Sequence, residues 1–497
     1  MKQEAPVSIS TEPAPTLRIP TGPPALPVVG WRGSMLRFFG DPIAYMSRLY
    51  AEHGPVAAFT AGGNGNLIFV KPGVRRSPAT LFAFSPAANY RLLTEVDTFQ
   101  SSALNGPATP AFRVQSSNIF GMSGERHRQQ RRLLLPAFHK QRVEAYHRQM
   151  VHFTEQLLAA WRPGEVRDIA ADMQRLTLDI VTTALFGLDV SERTADLGRQ
   201  LQRWLTLIVS PAGMLRWDAP FTPYGRLIRL TDAIVATIRA LIAEKRAAGA
   251  LGDDMLSMLI QTADADGARL TDDELIGHSS GLFIAGHETS ANALSWTLLL
   301  LAQHPAILAD LVDELTGALG GAAPTIDQLG QLPLLDAVIK ESLRLFPPAS
   351  MLGRIAVAAT ELDGYAVPEG AEVIYSPYIT HRIPELFERP LEFRPERWAT
   401  IKPSPYAYLP FSAGPRMCLG TAFASLELKV ILALLLQRYR LETPAGLRVD
   451  RQLVITLAPA PGLPMRVHAQ DRRFSRSPAP IAGKVRTMVV MPNEVKA

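Results

Sequence analysis

The chain contains one cysteine, Cys418, among 497 residues. It stands in Phe411-Ser412-Ala413-Gly414-Pro415-Arg416-Met417-Cys418-Leu419-Gly420. Apolar residues then recur at 419, 422, 423, 426, 430 and 434, the spacing of a helix running through Thr421 to Leu436. A thiol at a loop-to-helix junction feels the positive end of the helix dipole, which favours the thiolate, the form that binds metals. Gly414 and Gly420 leave room for backbone amides to approach the sulfur. Against this, a lone buried cysteine is more often an inert small hydrophobe. A single thiol also excludes an intramolecular disulfide, a cysteine-clustered zinc site and a cysteine-held iron–sulfur cluster.

Three other groupings carry chemistry in type and spacing. Glu288 and Thr289 form an acid–alcohol pair. Acids are rarely buried alone, and a carboxylate beside a hydroxyl can move protons, although a helical Thr also back-bonds to a carbonyl one turn earlier. Glu341 and Arg344 are three apart, and His127 and Arg131 four apart, so each pair shares a helix face. Two patterns mislead. Gly277-His278-Ser279-Ser280-Gly281 matches a hydrolase nucleophile motif but lies inside a helical stretch, without the strand and sharp turn that motif needs. His287-Glu288 opens like a zinc motif whose fifth position should be His, yet that position is Ala291.

The element that must carry Glu288 and Thr289 is one very long helix. Thr271-Asp272-Asp273-Glu274 is a capping box, the pattern runs to Gln303, and Pro305 stops it. From Thr271 to Gln303 is 33 residues, roughly 50 Å at 1.5 Å per residue. Such a helix crosses the core of a whole domain. Gly277 and Gly281 suit close packing, and Gly286 suits a widened groove beside Glu288 and Thr289. Helical patterns dominate from about Gly124 to Phe346. Val56–Thr60, Leu67–Val70 (joined through Gly62-Gly63-Asn64-Gly65), Leu81–Phe84 and Val373–Tyr375 read as strands. The fold class is mainly α with a small β-sheet region.

Composition is ordinary for a globular chain, 47% hydrophobic and 20% charged, and length alone would suggest about three domains. Residues 469–497 hold six Lys/Arg and two acids, +4 of the net +5, so the basic charge gives little support to a nucleic-acid partner and none is expected. No apolar run approaches the roughly 18 residues of a membrane span. Met1-Lys2-Gln3-Glu4 lacks the order of a signal peptide, and with the single thiol this predicts a cytoplasmic protein. Residues 1–27 contain seven prolines and read as an extended arm. Residues 469–497 read as a basic tail in which Thr487–Met491 could dock as a strand.

The ten residues ending at Gly420 resemble, position for position, the haem-binding loop F-x-x-G-x-R-x-C-x-G of the cytochrome P450 family. Ala285–Ser290 resembles that family's oxygen-activation segment. Glu341-Ser342-Leu343-Arg344, followed by Phe346-Pro347-Pro348, is similar to its E-x-x-R motif. Phe393–Trp398 resembles the segment that supplies a second arginine, Arg397, to Glu341. The resemblance spans about residues 20–468 and replaces the three-domain expectation with one large domain, 28–468, its long central helix over the haem.

It implies haem b with Cys418 as the axial iron ligand, held by a loop that includes Phe411, Gly414 and Gly420. Propionate partners would be His127, Arg131, Arg354 and Arg416; at His127 the family often has an aromatic residue instead. Glu288 and Thr289 would deliver the protons that O–O cleavage needs, the thiolate pushing electron density onto iron. The implied reaction is insertion of one oxygen atom from O₂ into an apolar small molecule: a fatty acid, terpenoid or polyketide. With no reductase motif and no further cysteines, electrons from NAD(P)H would come through separate partners, a ferredoxin and its reductase, steered by Arg126, Arg128, Arg132 and Lys140. Substrate contacts would come from Leu104, Phe112, Phe120, the stretch Trp204–Leu215, Ala285, Ala349–Leu352 and Leu457. A peroxide-driven haem enzyme and a haem sensor or carrier without turnover are the rivals; the Glu288–Thr289 pair argues against both.

Overall fold

The computed structural model describes residues 17–27, 30–61, 77–101, 107, 109–187, 192–208, 210, 216–248, 252–265, 267–453, 455–474 and 478–492. Its organising element is the helix Asp272–Gln303. The Thr271 hydroxyl accepts from the Glu274 amide, and the Glu274 carboxylate accepts from the Thr271 amide at 3.0 Å, the expected capping box. Apolar on nearly every side, the helix is buried through most of its length. It packs against Pro110–Gln115, Ile169–Phe186, Pro333–Leu345 and Thr421–Arg438. Each of its glycines marks a close approach. A Cβ at Gly277 would lie 2.2 Å from the Ser117 carbonyl oxygen, and one at Gly281 would lie 3.2 Å from the Phe120 ring. Gly286 does not widen a groove as expected: Val181 Cγ2 would be 3.0 Å from its Cβ, so the missing side chain is filled from the helix Ile169–Phe186.

The small sheet has five strands in the order Val56–Ala58, Thr80–Ala83, Glu372–Tyr375, Leu352–Ala356 and Phe99–Gln100. Three of the expected strands are in it. Leu67–Val70 and its glycine turn lie outside the described residues. Leu352–Ala356, which the sequence did not single out as a strand, pairs antiparallel with Glu372–Tyr375, placing Leu352 opposite Tyr375 and Arg354 opposite Val373. No single helix is long and apolar enough to cross a membrane among the described residues.

The tail departs from the expected layout, and the N-terminal segment is held more firmly than its composition suggests. Residues 17–27 are extended but tied down. Arg18 N–H donates to Gly364 O at 3.0 Å, Ala58 N–H to Thr21 O at 2.8 Å, and the Arg18 guanidinium covers Tyr365. The segment beyond 468 is not a free basic tail. Ile481, Val485, Met488, Val489 and Met491 are buried in the main core, and Val449 N–H donates to Ala482 O at 2.9 Å. Thr487–Met491 does not form a strand. Lys484–Thr487 is a 3-10 turn, and the apolar spacing 485, 488, 489 turns those side chains to one side of it. Two of the tail's cations are also engaged, Lys484 with Asp41 at 3.0 Å and Arg472 with Asp313.

Candidate haem-thiolate site

The cysteine loop is shaped by backbone. Cys418 N–H donates to Phe411 O at 2.9 Å, closing the loop on itself. Gly414 adopts φ +67°, and a Cβ there would come within 2.5 Å of the Leu93 carbonyl oxygen, so only glycine fits. The helix Thr421–Arg438 starts directly after Gly420. Around the sulfur, the Gly420 amide, the Thr421 hydroxyl and Arg131 favour the thiolate, but burial outweighs them and pushes the thiol pKa up. A coordinated metal would favour the thiolate further. Cys418 is solvent-accessible.

The four expected propionate partners converge. His127 and Arg354 are buried, with His127 drawn down to about 4 by burial and then by Arg416, Arg131 and Arg354. Burial, Arg354 and Arg131 bring Arg416 down to about 10. Arg354 Nε and Arg416 Nε are buried without a hydrogen-bond partner, and none of the four pairs with a carboxylate among the described residues. Arg354 Nη1 donates to Gly353 O, and Arg416 Nη2 to Met122 O and Ser123 Oγ. A nest of cations with unused donors beside one thiol is the donor set for a dianionic, thiolate-bound group such as haem with its two propionates.

On the long helix, Thr289 Oγ1 donates to Ala285 O at 2.6 Å, the back-bond that its type permits. Its lone pairs stay available, so the hydroxyl acts as an acceptor. Glu288 turns to the Thr456 hydroxyl, which also accepts from Asn292 Nδ2 at 2.9 Å; burial raises the Glu288 pKa, so the carboxyl keeps its proton to higher pH. Sequence reasoning missed Asn292 and Thr456. Asn292 is one turn from Glu288 and was findable by spacing; Thr456 is a long-range neighbour and was not. His287 faces the helix Ile169–Phe186, and no metal-binding cluster of His, Cys, Asp or Glu exists among the described residues.

Below the loop lies a fully buried ion network. Glu341 receives Arg344 through two bonds of 2.8 and 3.0 Å, Arg397 Nε at 3.0 Å and Trp398 Nε1 at 3.0 Å. Arg344 also donates to the carbonyls of His381, Pro390 and Glu392. His381, likewise not anticipated, connects this network to the strand of chain entering the cysteine loop. Its Nε2 accepts from Leu409 N–H at 2.7 Å, which leaves Nδ1–H to donate to Arg344 O at 3.1 Å.

This tautomer is neutral, and burial with Arg344 nearby draws the His381 pKa down to about 3. His278 and His287 are lowered to about 4, chiefly by burial. A depressed histidine contributes full stability above its unfolded pKa of about 6.5 and loses it as pH falls toward the folded value. Unfolding free energy should therefore drop below pH 6.5, with His381 contributing up to about 1.4 kcal/mol per pH unit. Denaturant titrations at pH 7 and pH 5 should show a shallower pH dependence for His381→Gln than for the parent; equal slopes would assign the acid sensitivity elsewhere.

Residues 81–462 match the family model for cytochrome P450. The chain belongs to the cytochrome P450 family. It is 30% identical over 458 residues to the cyclooctat-9-en-7-ol 5-monooxygenase of Streptomyces melanosporofaciens, covering 90% of this chain and 95% of that one. It is 30% identical over 433 residues to the pentalenene oxygenase of Streptomyces avermitilis, covering 84% and 90%. The retinoic acid-bound cyanobacterial CYP120A1 superposes with a TM-score of 0.77 at 26% identity, covering 91% of this chain and all of that one. This P450 is thus a single-domain, haem-dependent monooxygenase using O₂, a small-molecule substrate and external electron donors. The cation nest and the accessible thiol fit the haem that the family carries.

Proposed function

We propose that this P450 hydroxylates an apolar cyclic terpenoid, with electrons passing from NAD(P)H through a ferredoxin reductase and a ferredoxin. In this reading the Cys418 thiolate would hold the haem iron. His127, Arg131, Arg354 and Arg416 hold the propionates, and Phe411, Gly414 and Gly420 shape the loop. The bound haem supplies the redox chemistry of O₂ activation. The chain's own part is to exclude water, orient the substrate and meter protons.

Three of the expected contacts, Phe112, Trp204 and Leu457, are apolar and buried in the main core, which supports an apolar substrate. Phe112 stacks on Trp204 at 6.4 Å, and the turn at Leu457 is pinned by Trp296 Nε1 on its carbonyl and by its own amide on Pro348 O. Two relatives are named for terpenoid substrates, which supports the same class over fatty acids or polyketides. Of the other expected contacts, Leu104 and 211–215 lie outside the described residues. Substrate-induced spin-state titrations with cyclic terpenes, straight-chain fatty acids and macrolactones test this. Micromolar responses to the terpenes alone are expected; a preference for fatty acids would overturn it.

Proton traffic is assigned to two groups with different tasks. Glu288, protonated more readily through burial, is the source; Thr289, its own hydrogen committed to Ala285 O, accepts and fixes the last donor before the reacting oxygen. Thr289→Ala should leave haem content and substrate affinity unchanged, while product per NAD(P)H falls and hydrogen peroxide rises. The loss should be about tenfold to a hundredfold, since water replaces part of the hydroxyl's function. Full coupling in the variant would reduce Thr289 to a helix-bonding residue.

The donor should dock where Arg126, Arg128 and Arg132 project from the helix Gly124–Leu134. The patch is weaker than the sequence suggests, because Glu125 pairs with Arg128 at 2.7 Å and with Arg132 at 3.4 Å, and Arg126 reaches Glu274 at 3.6 Å. Reversing Arg128 and Arg132 to Glu should slow reduction by an acidic ferredoxin about tenfold at low salt and leave dithionite reduction unchanged. An unchanged, salt-independent rate would place docking elsewhere. Truncation after His468 is no test of the tail, since it would strip five core side chains.

A further inference from the structure

The nest of cations contains one neutral member that no family motif supplies. Tyr375 ends the strand Glu372–Tyr375 and is fully buried, yet its hydroxyl has no hydrogen-bond partner. A buried phenol normally finds one, and leaving the hydroxyl bare is costly. The sheet register explains where it points. Arg354 lies opposite Val373 and Leu352 opposite Tyr375, so Arg354 and Tyr375 are diagonal neighbours on the same face. The guanidinium carbon of Arg354 sits 5.5 Å from the Tyr375 ring centroid, a cation–π contact. Arg416 is close enough to feel Tyr375 as well. Three buried donors thus lack partners in one small region: Tyr375 Oη–H, Arg354 Nε–H and Arg416 Nε–H.

Resting on the reading of this nest as the haem-propionate site, we propose that Tyr375 is a further cofactor-positioning residue: its ring holds the Arg354 guanidinium flat, and its hydroxyl donates to the same carboxylate that Arg354 and Arg416 neutralise. A carboxylate flanked by two guanidiniums has acceptor positions to spare, and a neutral donor adds a hydrogen bond without adding to the repulsion among the cations. The ring and the hydroxyl have separate tasks, which separate variants can resolve.

Tyr375→Phe keeps the ring and its packing and removes only the hydroxyl. In the holoenzyme, haem transfer to excess apomyoglobin should be about tenfold faster than in the parent, the order expected for one hydrogen bond to a charged group. The resonance Raman propionate bending band should shift, a change that a packing role would not produce. Tyr375→Leu, which also removes the ring, should accelerate haem loss further. Arg354→Lys should give fast haem loss whether or not Tyr375 takes part, and so reports on the propionate site itself. If Arg354→Lys accelerates loss while Tyr375→Phe matches the parent in both rate and Raman band, the tyrosine is a packing residue and the proposal is overturned. If neither arginine nor tyrosine variants change haem retention, the assignment of the nest fails first.

Discussion

Cys418→Ala should abolish the long-wavelength Soret band of the carbon monoxide-bound, reduced protein, and with it all monooxygenase turnover. The effect should be complete because the sequence offers no second thiol. The loop should survive the change. Its geometry rests on Cys418 N–H to Phe411 O, on the left-handed Gly414 and on the Thr421 hydroxyl bonded to the residue-418 carbonyl, none of which needs the sulfur. Circular dichroism should therefore match the parent. Haem should still associate through the cation nest, absorbing at the shorter wavelength of a haem without thiolate. A variant that keeps the long-wavelength band would disprove the ligand assignment.

The second large effect belongs to a residue that touches neither haem nor substrate. Glu341→Gln replaces the one negative charge among Arg344, Arg397 and the carbonyls that bind them, in a site with no solvent access. Removing one partner of a buried ion pair typically costs about 3–5 kcal/mol, because the remaining charge stays desolvated. Here two guanidiniums lose their counter-ion, and a typical domain has only about 5–15 kcal/mol to lose. Little haem-loaded protein should accumulate, and what does should unfold at a much lower denaturant midpoint. Arg126→Gln, which breaks an exposed pair, should change the midpoint hardly at all. A Glu341→Gln protein with normal haem content and midpoint would mean that the network does not hold the cysteine loop.

The sequence made local features legible and long-range ones opaque. The long helix was visible because its capping box, apolar run and Pro305 all act within a few residues of chain. The convergence of Cys418, Arg131, Arg354 and Arg416 could be anticipated only because their motifs resemble those of a known family, since nothing in their spacing brings residues hundreds of positions apart together. Thr456 beside Glu288, His381 between two motifs and Tyr375 beside Arg354 belong to no motif. Each is placed by packing or sheet register, which sequence periodicity does not encode. Charge misled at the tail. The prolines read as an extended arm, and residues 17–27 are extended, with the Pro23 carbonyl accepting from Ala61 N–H. Arginines in the tail drew attention away from Val485, Met488 and Val489, which decide its position.

That docked tail bears on how the protein is made. Ribosomal synthesis proceeds from the N-terminus, and domains generally fold as units once their sequence is available. In this chain the core includes Ile481, Val485, Met488, Val489 and Met491, and the Arg382 side chain donates to the backbone carbonyl of Met488. A nascent chain can form the long helix and the ion network but cannot complete the core until residues 481–491 have been synthesised. Until then the surface that receives the tail is open to chaperones, or to the matching segment of another copy. Yield in the cell should therefore fall sharply with a stop codon placed just before residue 481, which removes five core side chains.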